Sequence, residues 1–232
     1  MSTYCISDLH GLPAEKLKEL LDRAGFGEGD FLFVLGDVVD RNGDGGLSLL
    51  RWLMKAPDAE FLLGNHEAML LSCEFVFGEV TEENIDALDE MQVRLLRRYL
   101  KNGGQVTLNA LRSISDEERN DILDFLREAP LWEAVTAGER DFVLVHAGLG
   151  NFRPDKKLSE YAPDELLWTR PAPDERYFED IMTVAGHTPT FIHGDEYDGL
   201  PLFTDTWIDI DSGAAYGRAP VLLRLDDLKW FR

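Results

Sequence analysis

Cysteine is scarce in this sequence. Only Cys5 and Cys73 occur among 232 residues, with neither CxxC spacing nor a disulfide-rich setting. That excludes a stapled scaffold and a thiolate metal cluster, and leaves two reduced thiols, buried or half-buried. Long apolar runs are missing too: no stretch approaches the ~18 consecutive apolar residues of a membrane-spanning helix. The opening residues, Met1 to Cys5, carry no positive leader and pass directly into strand-like chain. The expected location is therefore the cytoplasm, with no membrane partner. Positive charge is short as well, since 23 Lys and Arg face 44 Asp and Glu, a formal net charge of -21. Such a balance argues against a nucleic-acid partner. An anionic small substrate would need bound cations and a few placed arginines to reverse the sign locally, while the rest of the acidity is a solubilising surface. Internal repeats, low-complexity tracts and linkers are also lacking, and nothing signals an oligomeric state.

What is present is a core-forming chain, 44% hydrophobic, which suits one domain over residues 1–232. Short apolar runs recur, each ending in a small residue followed by a polar one: Tyr4 to Ser7, Phe31 to Leu35, Phe61 to Leu63, Phe142 to Val145 and Ile181 to Ala185. They read as buried strands. Helical patterns separate the first three, at Pro13 to Ala24 with Leu17, Leu20, Leu21 and Ala24 on one face, and at Gly46 to Lys55. Strand, helix, strand, helix, strand implies βαβ crossovers and a partly parallel sheet. Residues 73–130 read as a largely helical insertion, with a Gly103-Gly104 break and a capping box at Ser115 and Glu118. The final stretch, TWIDIDSGAAYGRAPVLLRLDDLKW, alternates around Gly and Pro and suits antiparallel strands and a second sheet.

The polar residues that follow the strands carry the chemistry. Ser7-Asp8-Leu9-His10-Gly11, Gly36-Asp37-Val38-Val39-Asp40-Arg41, Gly64-Asn65-His66-Glu67, His146-Ala147-Gly148 and Gly186-His187-Thr188 each follow an expected strand. Ligands bind at the carboxyl ends of strands in open α/β sheets, so these sets converge on one rim. Any one of them alone is more often ordinary turn chemistry. The chain has five histidines, and His10, His66, His146 and His187 all fall at such ends. A donor set of Asp, His and Asn without cysteine suits manganese, iron, zinc or magnesium. Six donors exceed one tetrahedral zinc, whereas two ions sharing a carboxylate would use them all. A pair of ions about 3.5–4 Å apart clamps a phosphoryl group and activates water for in-line attack.

Taken in order from residue 7 to 188, SDLHG, GDVVDR, GNHE, VHAG and GHT resemble the signature set of the phosphoprotein phosphatase family of metallophosphoesterases. The likeness is to its branch of bacteriophage lambda protein phosphatase and bacterial relatives, with diadenosine tetraphosphatases as a neighbouring branch. The resemblance implies a four-layer α/β/β/α sandwich with two mixed central sheets and two divalent ions, manganese first among them. It further implies that Asp8 and His10 hold the first ion, Asp37 bridges, and Asn65, His146 and His187 bind chiefly the second, with His187 as an alternative ligand of the first. His66 would be the general acid, with Asp40 orienting its ring and raising its pKa. Arg41 would bind phosphate bidentately, and Arg170 in LLWTR matches a second family arginine. Glu67, Asp211 and Tyr216 are second-layer or rim candidates by looser resemblance, and His193 reads as a loop residue.

Two positions depart from the family pattern. Ser7 replaces a glycine before Asp8, and Asn42 replaces a glycine after Arg41, where asparagine tolerates a left-handed backbone. The leading functional expectation is a phosphomonoesterase of the serine/threonine protein phosphatase type, acting on a phosphorylated protein or a small phosphoester; Glu67 is read as favouring it. The alternative is a symmetrical dinucleoside polyphosphate hydrolase, and a third reading is an inactive metal- or phosphate-binding module.

Overall fold

The computed structural model describes residues 1–78 and 89–232; the part of the expected helical insertion on residues 79–88 lies outside the described residues. In chain order the strands are Thr3–Ile6 (β1), Phe31–Val34 (β2), Ala59–Phe61 (β3), Trp132–Ala137 (β4), Arg140–Val145 (β5), Ile181–Ala185 (β6), Leu202–Phe203 (β7), Trp207–Asp209 (β8), Leu222–Arg224 (β9) and Lys229–Phe231 (β10). The described helices are Ala14–Ala24 (α1), Leu47–Leu53 (α2), Asn65–Leu71 (α3), Glu90–Lys101 (α4), Gln105–Arg112 (α5), Asp116–Glu128 (α6) and Pro163–Leu167 (α7). No helix among the described residues is long and apolar enough to cross a membrane.

Two mixed sheets of five strands carry the fold, in the orders β10-β9-β1-β2-β3 and β4-β5-β6-β8-β7. β1, β2 and β3 run parallel, with Thr3 opposite Phe31 and Leu32 opposite Ala59, and the antiparallel β9 and β10 extend β1 on its other side. In the second sheet β5, β6 and β8 are parallel, while β4 and β7 pair antiparallel at its two edges. The apolar runs are continuous because both faces of the central strands are covered. Along β1, Tyr4 and Ile6 turn to the helices with Leu17, Leu20 and Leu50, whereas Cys5 joins Phe33, Leu144, Val184 and Ile208 between the sheets. Along β5, Phe142 and Leu144 face that inter-sheet core, and Val143 and Val145 pack outward with Trp207 and Tyr161. Each fully buried Leu, Ile or Phe here contributes about 1.5–3 kcal/mol over exposure. Both cysteines are free and buried.

Three local expectations shift. The third strand is Ala59–Phe61; the Leu62 N–H still reaches the Val34 carbonyl at 2.8 Å, and the Leu63 N–H bonds the Pro130 carbonyl at 2.9 Å. The tail splits between sheets: β9 and β10 are antiparallel as expected, but β8 lies parallel to β6. Alternation fixes which face a residue takes and is silent on strand direction. At the start of α6, Ser115 accepts the Glu118 N–H at 3.2 Å, but Glu118 directs its carboxylate to Arg51 of α2 at 2.6 Å, so half of the capping box is exchanged for a tertiary ion pair.

Candidate metal centre

The turns after β1, β2, β5 and β6 and the first turn of α3 meet at the carboxyl ends of the parallel strands. Their backbones are unusual. Among the described residues eight non-glycine positions have positive φ, and six of them are Asp8, His10, Asp37, Asp40, Arg41 and His187. A left-handed backbone at such residues persists only where the surroundings over-determine it, and it concentrates at functional sites. Glycine fits where no Cβ could. A Cβ on Gly36, at φ +84°, would lie 2.5 Å from Gly64 Cα and 2.9 Å from the His146 ring, so the turns before Asp37 and Asn65 touch backbone to backbone. The departure at Asn42 brings no left-handed residue; Arg41 and Gly43 take the positive φ on either side of it. Ser7 fits its position and donates a short hydrogen bond to Asp8 Oδ2.

Asp37 lies at the centre. Its Oδ2 is 3.7 Å from His10 Nε2 and 3.8 Å from His66 Nε2, and its Oδ1 is 3.5 Å from His146 Nε2. Two clusters of ligand-capable atoms share it, one with His10 and His66 and one with His146 and His187. Asp8 Oδ1 stands 3.9 Å from His10 Nε2, while Asp8 Oδ2 accepts the His187 N–H at 2.8 Å. All of these side chains are buried.

The donors fit divalent ions. His10 Nδ1 donates to the Val39 carbonyl at 3.0 Å and His146 Nδ1 to the Leu35 carbonyl at 2.8 Å, which leaves both Nε2 lone pairs turned inward, as metal-ligating imidazoles require. The His146 Nε2 lone pair then faces Asn65 Oδ1 at 2.9 Å, two acceptors held together with no proton between them. The buried His187 Nε2 has no hydrogen-bond partner. Burial, before any charge effect, pushes His10 down to about 3 and His187 to about 2, so both are neutral ligands at neutral pH. Burial also raises Asp37 well above the usual carboxylate range, and neighbouring Asp8 and Glu67 add to this. Crowded lone pairs and carboxylates without a compensating proton or cation are costly, and a bound divalent ion removes that cost.

His66 is set apart from the other three imidazoles. Its Nδ1 meets Asp40 Oδ2 at 2.7 Å and its Nε2 accepts from the Arg41 guanidinium at 3.2 Å. The expected rise in its pKa is absent in this arrangement: burial first, then the Arg41 charge, holds His66 at about 3. Burial instead lifts Asp40 to about 7, against hydrogen bonds from Thr107 and Tyr99 that pull it down. Arg41 also reaches the Tyr216 hydroxyl at 3.2 Å, and Arg170 lines the same cleft, 3.4 Å from Thr188 Oγ1.

Several residues become visible only here. Glu67, expected as a second-layer group, accepts four backbone N–H groups, from Asp37, Val38, Val39 and Gly64, at 2.9–3.1 Å. Asp211, Trp168, Ile192 and Asn102 join Tyr216 on the cleft wall. Only Asp211 and Tyr216 were legible beforehand; Asn102 beside the Gly103-Gly104 break and Trp168 in LLWTR were the available hints. His193 lies in a turn, as expected of a loop residue, with its half-buried ring 3.7 Å from buried Asp209. The cleft holds about 90 Å³. That is far below the ~300–1,000 Å³ of an ordinary ligand pocket, so it admits a phosphoryl group and leaves the remainder of a substrate on the rim.

Residues 1–211 match the model of the calcineurin-like phosphoesterase family. The chain belongs to this family, and its fold is that of a metallophosphoesterase, a family whose members use divalent metals. It is 36% identical over 151 residues to a symmetrical bis(5'-nucleosyl)-tetraphosphatase of Nitrosomonas europaea, covering 64% of this chain and 45% of that protein. It is 33% identical over 166 residues to the protein of that name from Chromohalobacter salexigens, covering 71% and 51%. The chain thus spans about half the length of the curated relatives it matches. A crystal structure described as a provisional diadenosine tetraphosphatase superposes with a TM-score of 0.64 at 20% identity, covering 98% of this chain and 90% of that one, a likeness of fold. The names of the two curated relatives match the dinucleoside polyphosphate alternative better than the leading expectation of a protein phosphatase.

Proposed function

We propose that this chain hydrolyses the phosphoanhydride bridge of a dinucleoside polyphosphate, with a symmetrical tetraphosphate as the substrate class. The observation that carries the hydrolytic reading is Asp37, whose two carboxylate oxygens stand 3.7 Å from His10 Nε2 and 3.5 Å from His146 Nε2 at the floor of a cleft of phosphoryl size. The substrate class rests on the names of the matched relatives. Asp8, His10 and Asp37 would hold one ion, and Asp37, Asn65, His146 and His187 the other, with manganese as the preferred metal. We assign His187 to the second ion because its ring nitrogen lies with a carboxylate oxygen of Asp37 and a ring nitrogen of His146. Bound there, the ions would supply positive charge against the phosphoryl oxygens and lower the pKa of an attacking water.

The chain's own residues do the rest. Arg41 and Arg170 grip the phosphoryl oxygens from two walls, with planar forks that match them. When phosphate draws Arg41 away, His66 Nε2 loses the guanidinium that depresses it. Asp40 holds Nδ1 and balances the imidazolium; once the guanidinium has left, Nε2 takes a proton from solvent, passes it to the leaving oxygen and the ring returns to neutral. Trp168, Ile192 and Tyr216 line the rim around the reacting group.

The test is a substrate panel with added manganese: diadenosine tetraphosphate, a phosphoserine peptide and p-nitrophenyl phosphate. The tetraphosphate should give the highest kcat/KM and a single nucleotide product, the diphosphate. A phosphopeptide preferred by tenfold or more, or a monophosphate and triphosphate as products, would overturn the substrate assignment.

A further inference from the structure

The hairpin of α4 and α5 crosses the turn that holds Asp40 and Arg41, 59 to 67 residues away in sequence. Tyr99 of α4 and Thr107 of α5 are both buried. The Tyr99 hydroxyl donates to Asp40 Oδ1 at 2.7 Å, and Thr107 Oγ1 donates to the same oxygen at 2.6 Å. The Thr107 oxygen in turn accepts the Asp40 N–H at 2.9 Å, and the Arg41 N–H reaches the Gly103 carbonyl at 3.2 Å. The approach is close: a Cβ on Gly104 would lie 2.5 Å from the Tyr99 ring. With Oδ1 committed to two hydroxyls, Oδ2 is the oxygen left for His66 Nδ1, at 2.7 Å.

We propose that Tyr99 and Thr107 are positioning residues of the general acid: by fixing the Asp40 carboxylate they fix the rotation of the His66 ring, and so the aim of its Nε2 at the leaving oxygen. The helical insertion is then a working part of the hydrolytic machinery and not only a cover over the first sheet. A buried acid needs donors in any case, so satisfaction of Asp40 alone does not require this role. Both hydroxyls converge on the oxygen facing away from His66, and one of them also holds the Asp40 backbone. Such a double hold dictates orientation. Outer partners of this kind typically change activity by roughly 10- to 100-fold when removed.

The proposal rests on the reading of His66 as the acid, and the experiment separates the two. Tyr99→Phe, Thr107→Val, Thr107→Ser and His66→Asn are compared on glycerol 2-phosphate, whose alkoxide needs a proton to leave, and on p-nitrophenyl phosphate, whose phenolate does not. Manganese content and thermal melting are recorded for each. Tyr99→Phe and Thr107→Val should lower kcat on the alkyl ester roughly tenfold or more, with KM and metal content held and a much smaller loss on the aryl ester. Thr107→Ser should restore the rate. In the His66→Asn background, adding Tyr99→Phe should cost nothing further on the alkyl ester, since a residue acting through His66 has nothing left to aim. Equal losses on both substrates, losses that follow metal content, or additive losses in the double variant would overturn the positioning role while leaving His66 as the acid. An absence of leaving-group dependence in His66→Asn itself would overturn both.

Discussion

Glu67 and Asp37 are joined through the backbone: Glu67 Oε2 accepts the Asp37 N–H at 2.9 Å and the Gly64 N–H at 3.1 Å, while Oε1 takes those of Val38 and Val39. One buried carboxylate thereby fastens the turn after β2 to the start of α3 and sets where Asp37 stands. In Glu67→Gln an amide NH2 would face two of these donors. Hydrogen bonds to charged groups are worth about 1.5–3 kcal/mol, so the loss should be about 2–4 kcal/mol. For a chain of this size that lowers Tm by on the order of 10 °C. Urea denaturation and manganese titration check it; a variant with wild-type stability and wild-type metal affinity would make the four bonds incidental.

Asp37→Asn should be the most damaging single change at the floor of the site. It keeps the shape and removes the charge from the one carboxylate both donor clusters share. Elemental analysis should find fewer than two ions per chain, with activity near background. A variant that retains both ions and its turnover would show that Asp37 does not bridge.

Arg41→Ala and Arg170→Ala should leave metal content intact and reduce kcat/KM by roughly ten- to a thousandfold each, the scale of one transition-state donor. Arg41 should cost more, because it is wedged between His66 and Tyr216, whereas Arg170 is exposed. Steady-state kinetics on the tetraphosphate give the comparison. A wild-type Arg170→Ala would leave Arg41 as the sole phosphate grip.

Metal should stabilise the fold as well as activate it, because the donors come from five separate segments that only folding gathers. At a hundredfold excess over its dissociation constant, manganese should add about 2.7 kcal/mol. Melting curves after chelation and after manganese addition read this directly. Superimposable curves would mean that the buried clusters hold no ion.

The sequence by itself determined the chemistry of the site and its place on the chain. Asp8, His10, Asp37, Asn65, His146 and His187 stand where strands stop, and that is local information: an apolar run sized for a strand, a small residue, then a donor. The period of α1 and the βαβ order were local in the same sense, and the structure lines one cleft with Asp8, His10, Asp37, Asn65 and His187, with His146 buried against Asn65.

Only the tertiary structure decided how the donors are held and tuned. The Asp8 carboxylate meets the His187 N–H across 179 residues, and Tyr99 meets Asp40 across 59. No periodicity encodes such pairs, since they depend on strand order, on the parallel direction of β8, and on where the α4–α5 hairpin lands. The low pKa of His66 has the same origin. Its sequence neighbours suggested an acid raised by Asp40, but burial and the guanidinium of Arg41 dominate, and both arise from packing. Residue type sets which lone pairs are available. Long-range packing sets which of them face one another without a proton between, and that arrangement makes a cluster of side chains into a candidate site for metal.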